Sequence, residues 1–315
     1  MRGVKGVVIK STGSWFTVLD ENGRQINCKL KGRFRIKGIK TTNPIAVGDK
    51  VEFDIAEDEK IGLITKILPR HNHIIRKSTK LSKVSHIIAA NIDLALLIVT
   101  IKEPEISPGL IDRFLVTAEA YHITSAIVFN KIDIYGDVDF DKLQKYEAIY
   151  RAAGYQTFRV SALTGENIDM LKEVIRDKIC LFSGASGTGK SALINVIEPG
   201  LKLKVGDIST YHLKGRHTTT FPEMHKLTGG GFIIDTPGIR EFGLVEFRKE
   251  EIAERFPEMR AFMHDCQFNN CTHIHEPRCA VKAAVENGKI AASRYESYLR
   301  IYNDDYLDKE LWEWE

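Results

Sequence analysis

The residues from Gly184 to Ser191 form the stretch of this sequence with the clearest capacity for chemistry. They read G-x-x-x-x-G-K-S, the spacing of a phosphate-binding loop, in which glycines allow backbone N–H groups to close around phosphate oxygens. Lys190 can reach the β- and γ-phosphates, and the Ser191 hydroxyl can ligate Mg²⁺. The sequence therefore predicts a site for a nucleoside triphosphate with Mg²⁺.

The segments on either side of this loop have the structure that the motif needs. Residues 178–182 are predicted to form a short buried strand, and the apolar spacing of residues 191–197 predicts a helix. The N-terminus of that helix would add its positive dipole end to the phosphate site. A glycine- and serine-rich turn that happens to carry a lysine is the alternative, and these flanks argue against it.

A second motif, N-K-x-D, runs from Asn130 to Asp133 directly after a predicted strand. The ionised carboxylate of Asp133 only accepts hydrogen bonds, and guanine offers it two donors, N1–H and the N2 amino group. Adenine has an acceptor at the equivalent ring nitrogen, so the motif favours GTP over ATP. Lys131 can lie along the base plane, Ile132 fills the variable position, and Asn130 can tie this loop to the phosphate loop.

Two further motifs are expected to complete the nucleotide site. Ser161 and Ala162 begin an S-A-x-x-G motif whose backbone N–H groups are expected to face guanine O6, although alone it indicates only a helix start. Asp235 and Gly238 form a D-x-x-G motif, which places Asp235 near Mg²⁺ through water and the Gly238 N–H near the γ-phosphate. Thr219, in a run of three threonines, offers a hydroxyl to Mg²⁺. The threonine segment and the D-x-x-G segment are both expected to become ordered when the triphosphate binds.

The order of these motifs along the chain is unusual. In ordinary small GTPases the N-K-x-D and S-A-x motifs follow the phosphate loop, whereas here they precede it. Because such a site is assembled from strand ends, a circular permutation that joins the old termini preserves it. The D-x-x-G segment then leads directly into the C-terminal part of the chain, so a nucleotide-dependent movement can be passed on to that part.

A cluster of metal-ligand residues lies in that C-terminal part. Cys266, Cys271, His273 and Cys279 fall within fourteen residues, and this spacing predicts a closed Cys₃His zinc site with a structural role. His275 is a rival to His273 as the fourth ligand. Unrelated buried thiols are the alternative reading.

The first 70 residues are predicted to form about five short strands and a small barrel of the oligonucleotide-binding (OB) type. Arg33 and Arg35 are the stronger candidates for contacts with RNA. Trp15 and Phe16 either stack on bases or form the core and rim of the barrel. Residues 69–81 are polar and basic and are interpreted as a linker.

Beyond the linker, predicted strands and helices alternate. Strands are predicted over 93–99, 124–129 and 156–160, with a helix that begins at Pro108 and another over 140–153. This alternation predicts a doubly wound, mostly parallel sheet with helices on both faces. The expected architecture is therefore a multi-domain α/β protein: an OB-type barrel (1–70), a circularly permuted P-loop GTPase domain (71–245) and a helical zinc-binding domain (246–315), with helices over 249–264 and 282–302.

Charge and composition bear on location and partners. The net charge is only +3, but the first 80 residues carry 17 Lys and Arg against 8 Asp and Glu, which suggests a polyanion partner for the N-terminal module. A solvated lysine-rich surface is the alternative. No secretory signal or membrane-spanning run is recognised, so a cytoplasmic protein is expected, whose five cysteines are thiols or metal ligands.

Permuted GTPase motifs, a leading basic barrel and a trailing Cys₃His site together resemble the bacterial small-subunit-dependent GTPases of the RsgA (YjeQ) family. The resemblance covers essentially the whole chain, although the family's helical insertion after the barrel is short here. It favours His273 over His275 as the zinc ligand. The nucleotide-binding residues implied by the resemblance are Asn130, Lys131, Ile132, Asp133, Gly184, Ala185, Ser186, Gly187, Thr188, Gly189, Lys190, Ser191 and Ala192.

The resemblance implies a cytoplasmic, monomeric GTPase that hydrolyses GTP to GDP and phosphate late in assembly of the small ribosomal subunit. It also implies binding to the subunit and its 16S-type rRNA, stimulation by the subunit, and no membrane partner. Ile239 stands where many GTPases have a water-orienting glutamine, so His217, which matches the family's switch histidine, becomes the catalytic candidate beside Lys190. An RNA-binding module with incidental hydrolysis and a P-loop kinase or ATPase are the alternatives.

Overall fold

The structure is a computed structural model that describes residues 3–30, 44–55, 61–77, 85–203, 223–235 and 248–303. Predicted functional residues that lie outside these ranges are Arg33, Arg35, His217, Thr219, Gly238 and Ile239.

The N-terminal strands close into a barrel. They are β1 (Val4–Ser11), β2 (Phe16–Asp20), β3 (Gln25–Leu30), β4 (Lys50–Ile55) and β5 (Ile61–Ile67). Strand β1 pairs with both β2 and β4, β3 pairs with β5 in parallel, and β4 with β5, so the ring is complete. The predicted five-stranded OB-like barrel is confirmed.

A two-stranded ribbon follows the barrel where the sequence predicts a linker. Strand β6 (His73–Lys77) pairs antiparallel with β7 (Ser85–Ala90). Ile74 and Ala89 are buried in the same hydrophobic core as the central sheet. The linker prediction is wrong for β6, because the apolar residues between the basic ones give this segment one face that packs on the core.

The central sheet contains β8 (Leu94–Val99), β9 (Ser125–Phe129), β10 (Gln156–Arg159), β11 (Ile179–Gly184), β12 (Glu223–Lys226) and β13 (Phe232–Asp235). Its order is β10-β9-β8-β11-β13-β12, and all neighbours are parallel except β12 and β13. Strand β12 was not predicted from the sequence.

Helices cover both faces of this sheet, as predicted. They are α1 (Pro108–Ala120), α2 (Asp137–Ala152), α3 (Ile168–Ile175) and α4 (Lys190–Ile197). Successive residues of β8 face opposite cores: Leu97 belongs to one hydrophobic cluster, and Leu96 and Ile98 to the other. A strand buried on both faces is the signature of a doubly wound sheet.

The C-terminal part is helical but more broken than the sequence predicts. Its helices are α5 (Pro257–Arg260), α6 (Ala280–Glu286) and α7 (Ala292–Tyr302). The helix predicted over 249–264 is replaced by 3₁₀ turns around α5, because Pro257 forces an extended backbone on Phe256. The helix predicted over 282–302 is interrupted after α6, where Gly288 adopts a positive φ of 68°.

No helix within the described ranges is long and apolar enough to cross a membrane.

Candidate nucleotide site and metal centre

The predicted nucleotide motifs converge at one edge of the central sheet. Strands β8, β9, β10, β11 and β13 run parallel, so their carboxyl ends lie side by side. The segments that begin at Thr100, Asn130, Ser161 and Gly184 all leave the sheet at this edge. Ligands of such sheets bind there.

The side chain of Asn130 joins three of these segments. Its Nδ2 donates to the carbonyl oxygen of Thr188 in the phosphate loop at 2.9 Å. Its Oδ1 accepts from the backbone N–H of Ala162 at 3.0 Å. The expected tie to the phosphate loop is present, and the tie to Ala162 is an addition that the sequence did not predict. Because Asn130 is buried, these bonds hold the loops in fixed relative positions.

Asp133 is exposed at this edge, and Ser161 orients it. The Ser161 hydroxyl donates to Asp133 Oδ1 and accepts from the backbone N–H of Thr164 at 3.0 Å. One carboxylate oxygen is thereby fixed while the side chain faces solvent. An acceptor held in this way fits the predicted role of Asp133 toward a base with two donors. Backbone N–H groups of this motif were expected to face guanine O6, and that of Ala162 donates to Oδ1 of Asn130.

Lys131 lies between the base loop and the segment after β8. Its backbone is left-handed, with φ at 64°, and its ammonium group donates to the carbonyl oxygen of Glu103. The ring of Pro104, the next residue, lies 3.2 Å from the position that a Cβ on Gly187 would occupy. The segment from Thr100 to Ser107 therefore forms a wall beside the phosphate loop, a contribution that no motif in the sequence indicated.

The phosphate loop has the tight backbone that its motif predicts. Thr188 is fully buried, and its hydroxyl donates to the carbonyl oxygen of Ala185 at 2.9 Å. Gly189 has a φ of 84°, and a Cβ there would lie 2.4 Å from Nδ2 of Asn130. A side chain at this position would thus break the tie between the two loops. Helix α4 starts at Lys190, so its N-terminal N–H groups face the loop.

Ser191 and Asp235, the two residues predicted to bind Mg²⁺, lie at the same edge of the sheet. Ser191 lies in the first turn of α4, and Asp235 is the last residue of β13, the strand beside β11. A hydroxyl and a carboxylate are oxygen donors of the kind that Mg²⁺ prefers.

The four predicted metal ligands form a compact cluster. The Sγ atoms of Cys266, Cys271 and Cys279 and a ring nitrogen of His273 lie within 4.8 Å of one another. Nδ1 of His273 is 3.4 Å from Cys279 Sγ and 3.6 Å from Cys266 Sγ, and the latter two sulfurs are 3.9 Å apart. A tetrahedral zinc ion places such ligand atoms roughly 3.4–3.8 Å apart, so the cluster fits a structural metal site.

The protonation chemistry of the cluster also fits a metal. Burial lowers the pKa of His273, which keeps its imidazole neutral and able to bind an ion. Burial raises the pKa of the Cys271 thiol to about 12, so a bound cation is what would deprotonate it. The rival ligand His275 is exposed and is not part of the cluster.

Residues outside the motif hold the ligand loop in place. Burial would raise the pKa of Glu276, but hydrogen bonds from the Thr272 hydroxyl and from backbone N–H groups lower it to about 2. Tyr295 and Tyr298 on α7 donate to the carbonyl oxygens of His273 and Thr272. These supports have no specific signal in the sequence, because glutamate and tyrosine are common on helices and loops.

The two aromatic residues predicted either to contact RNA or to form the core and rim of the barrel differ in burial. Phe16 is buried in the barrel core. Trp15 keeps 40% of its surface exposed, and the ammonium group of Lys29 lies 4.3 Å above its ring. Phe16 therefore belongs to the core of the barrel, and Trp15 lies at its rim.

Comparisons with known proteins agree with this architecture. The family model for the RsgA GTPase matches residues 67–245, and that for the RsgA N-terminal domain matches residues 5–64. The chain is 51% identical over 300 residues to a protein from Christiangramia forsetii named small ribosomal subunit biogenesis GTPase RsgA, and the aligned region covers 95% of each chain. It is 52% identical over 301 residues to RsgA 2 from Bacteroides thetaiotaomicron, covering 96% of this chain and 97% of the relative.

Two solved structures share the whole fold. The crystal structure of YjeQ from Thermotoga maritima matches with a TM-score of 0.79 and 38% identity, covering 98% of this chain and 99% of that one. The crystal structure of YloQ, described as a circularly permuted GTPase, matches with a TM-score of 0.76 and 29% identity, covering 98% and 96%. The predicted permutation and barrel are thereby confirmed.

Proposed function

The chain belongs to the RsgA family of GTPases, and from that premise we propose that it hydrolyses GTP to GDP and phosphate during biogenesis of the small ribosomal subunit. The observation that carries the proposal is the position of Asn130, which joins the base loop, the Ser161 segment and the phosphate loop through one buried side chain. Relatives with about half of their residues identical over nearly the full length carry the same name.

Each predicted residue has a defined task in this proposal. Asp133, held by Ser161, accepts from N1–H and the N2 amino group of guanine and so selects the base. The N-terminal amides of α4 and the Lys190 ammonium stabilise the negative charge of the β- and γ-phosphates. Ser191, and Asp235 through a water, would hold Mg²⁺, which would supply neutralisation of the charge that develops on the phosphates.

The attacking water needs a group to orient it, and isoleucine at position 239 cannot supply one. We assign this task to His217. We assign the remaining contacts with the triphosphate to Thr219 and Gly238. In this proposal, docking on the small subunit brings His217 into position and so accelerates hydrolysis. His217→Ala should then abolish most of the acceleration while GTP affinity stays unchanged, and an unchanged acceleration would remove His217 from the reaction.

The barrel supplies the contact with 16S-type rRNA in this proposal. Its support is the excess of basic residues in the first 80 positions and the exposed Trp15 ring beneath Lys29. We assign Arg33 and Arg35 to the same contact. The metal of the Cys₃His cluster is proposed to be zinc with a structural role, and the chain is proposed to act as a cytoplasmic monomer with domains over 1–70, 71–245 and 246–315.

Base selection gives the direct test of the nucleotide site. Asp133→Asn replaces one acceptor oxygen with a donor, which guanine N1–H and N2 cannot use but xanthine O2 can. We expect the preference between GTP and xanthosine triphosphate to move toward the latter by about tenfold or more, since a charge-assisted bond is worth roughly 1.5–3 kcal/mol. Competition binding measures it, and an unchanged preference would exclude Asp133 from base recognition.

Turnover separates the proposed function from its alternatives. Hydrolysis of GTP, ATP and xanthosine triphosphate is measured with and without purified small subunits. GTP hydrolysis that small subunits accelerate supports the proposal. Equal use of ATP would indicate a general P-loop ATPase or kinase, and GTP-dependent subunit binding without accelerated turnover would indicate an RNA-binding module.

A further inference from the structure

Tyr135 lies just after the N-K-x-D motif, and its hydroxyl joins two loops at the carboxyl edge of the central sheet. The hydroxyl accepts from the backbone N–H of Ile101 at 2.8 Å and donates to the carbonyl oxygen of Asn130 at 2.7 Å. Ile101 follows the end of β8, and Asn130 is the residue directly after β9. The hydroxyl therefore bridges the wall beside the phosphate loop and the loop that carries Asp133.

The side chain of Tyr135 is itself held in place. Only 8% of the residue is exposed, and its ring packs edge-on against that of Phe140 on α2, with the ring centroids 5.8 Å apart. Burial raises the pKa of Tyr135 to about 12, so the hydroxyl keeps its proton and remains a donor at neutral pH. A buried hydroxyl that makes both a donor and an acceptor bond leaves little freedom to the two loops that it joins.

The carbonyl group that accepts from Tyr135 belongs to the peptide bond between Asn130 and Lys131. A peptide bond is planar, so a bond that fixes its oxygen fixes the orientation of the whole unit. Lys131 continues from this unit in the left-handed region, with φ at 64°, and a residue with a side chain keeps that conformation only where its surroundings hold it. Asp133 follows two residues later. Its direction toward a base therefore depends on a peptide that the Tyr135 hydroxyl holds.

This support is separate from the one that the Asn130 side chain gives. That side chain bonds to Thr188 in the phosphate loop and to Ala162 after β10. Tyr135 instead bonds to the backbone carbonyl of Asn130. Removing the Tyr135 hydroxyl would leave both side-chain bonds of Asn130 in place. The phosphate loop should then keep its position while the backbone that leads to Asp133 loses a support.

We propose that Tyr135 is a positioning residue for base recognition: its hydroxyl holds the N-K-x-D loop in the orientation in which Asp133 meets both donors of guanine, N1–H and the N2 amino group. The inference rests on the proposed function, because it requires a guanine nucleotide at Asp133. Asp133 touches the base, whereas Tyr135 acts only through the loop. The base is the same in bound GTP and in the transition state of hydrolysis, so this alignment strengthens both equally and leaves kcat unchanged.

The test uses the full-length chain and isothermal titration, with Mg²⁺, of three ligands: GDP, inosine diphosphate, whose base lacks the N2 amino group, and inorganic tripolyphosphate, which has no base. Tyr135→Phe keeps the ring and removes only the hydroxyl. GDP binding should weaken about three- to tenfold, because a charge-assisted hydrogen bond loses much of its contribution when it is misaligned. Inosine diphosphate can make only one of the two bonds, so the ratio of GDP affinity to inosine diphosphate affinity should fall by about twofold or more. Tripolyphosphate affinity should not change.

Tyr121→Phe is the matched control. Tyr121 follows the last residue of α1, and its hydroxyl donates to the carbonyl oxygen of Ile75 on β6 at 3.2 Å. The variant loses the same kind of bond outside the nucleotide loops, so it should keep the wild-type affinities for all three ligands. Steady-state kinetics give a second measurement: KM for GTP should rise in Tyr135→Phe while kcat stays constant.

An unchanged ratio of GDP affinity to inosine diphosphate affinity in Tyr135→Phe would overturn the inference, even if the variant unfolded at a lower temperature, because the hydroxyl would then only stabilise the fold. An equal loss of tripolyphosphate affinity would also overturn it, since the phosphate loop would then have moved as well. Both outcomes leave the proposed GTPase function intact. If the wild-type chain bound GDP no better than inosine diphosphate and tripolyphosphate, the proposed function itself would fall, and this inference with it.

Discussion

The central GTPase sheet is joined to its two neighbouring modules by different physical means. The barrel joint, formed by Val47, Gly48, Ala90 and Asn91, consists mainly of bonds to backbone groups. Asn91 Nδ2 donates to the carbonyl oxygen of Gly48 at 3.0 Å, and the N–H of Ala90 donates to the carbonyl oxygen of Val47 at 2.9 Å. Strand β1 also pairs with β12, so one hydrogen-bonded sheet runs through both domains.

The C-terminal joint, formed by Asp112, Glu258 and Arg294, depends on side chains instead. Arg294 on α7 is 1% exposed and contacts Asp112 on α1 at 2.7 Å and Glu258 on α5 at 2.6 Å. Its guanidinium lies 4.7 Å from the ring centroid of Phe256. Burial raises the pKa of Asp112, and the nearby Arg294 charge opposes that rise. Removing one of these charges would leave its partner buried without a counter-charge, which costs more free energy than burying the pair.

The two modules therefore differ in how a single mutation can release them from the central sheet. The backbone bonds of the barrel joint survive most substitutions, whereas both buried ion pairs of Arg294 are lost when that one residue is replaced. Residues 248–303, the metal-cluster module, therefore have two points of weakness: the Cys₃His cluster inside the module and Arg294, which attaches the module to α1.

The largest effect is expected from loss of a metal ligand. Cys271→Ser should remove most of the metal and unfold the metal-cluster module, because structural zinc contributes roughly 10–16 kcal/mol of apparent binding free energy in small zinc modules. Elemental analysis and hydrogen exchange measure the two effects, and GDP binding should persist. His275→Ala is the matched control at the rival histidine and should keep its metal. A stoichiometric metal in Cys271→Ser would contradict the cluster assignment.

The C-terminal joint should show the next largest effect. Arg294→Met keeps much of the side-chain volume but leaves Asp112 and Glu258 buried without their cation, which should lower the free energy of unfolding by about 3–5 kcal/mol. Arg300→Met, a change on the exposed face of the same helix, should cost less than about 1 kcal/mol. Denaturant titration compares the two. If both variants lose equal stability, the buried triad does not hold the module.

The barrel joint is tested by bringing a side chain into its backbone contact. Gly48 has a φ of 88°, and a Cβ there would lie 2.0 Å from the carbonyl oxygen of Ala90. Gly23 has a similar φ of 79° but open space around its Cβ position. Gly48→Ala should therefore cost roughly 1–3 kcal/mol more than Gly23→Ala, since both share the backbone strain and only the first creates the clash. Equal midpoints of thermal unfolding for the two variants would show that the barrel can move to accommodate the added methyl group.

The smallest effect is expected at the surface of the barrel joint. Lys10 and Glu223 form an ion pair at 3.1 Å between β1 and β12, with both side chains more than two-fifths exposed. Lys10→Met should change stability by no more than about 1 kcal/mol, because water and salt screen such pairs. Unfolding at low and high salt measures it. A loss comparable with that of Arg294→Met would mean that side chains hold both joints.

Much of the fold follows from the sequence because its signals are local. The barrel strands, the alternation of strands and helices, and the phosphate loop each depend on residue types within a few positions of one another. The Cys₃His cluster was predictable for the same reason, since its four ligands span only fourteen residues. Motif order alone indicated the permutation, because a site built from parallel strand ends does not depend on where the chain begins.

Tertiary structure decided what depends on residues far apart in sequence. Asn130 could be predicted to tie two loops, but only the parallel register of β9 and β10 brings Ala162 to its other side. Arg294 gave no signal, because an arginine on a short helix is usually solvated, and only a carboxylate 182 positions away on α1 allows its burial. Local spacing determines which chemistry a segment can perform, whereas long-range packing determines which charges can leave water.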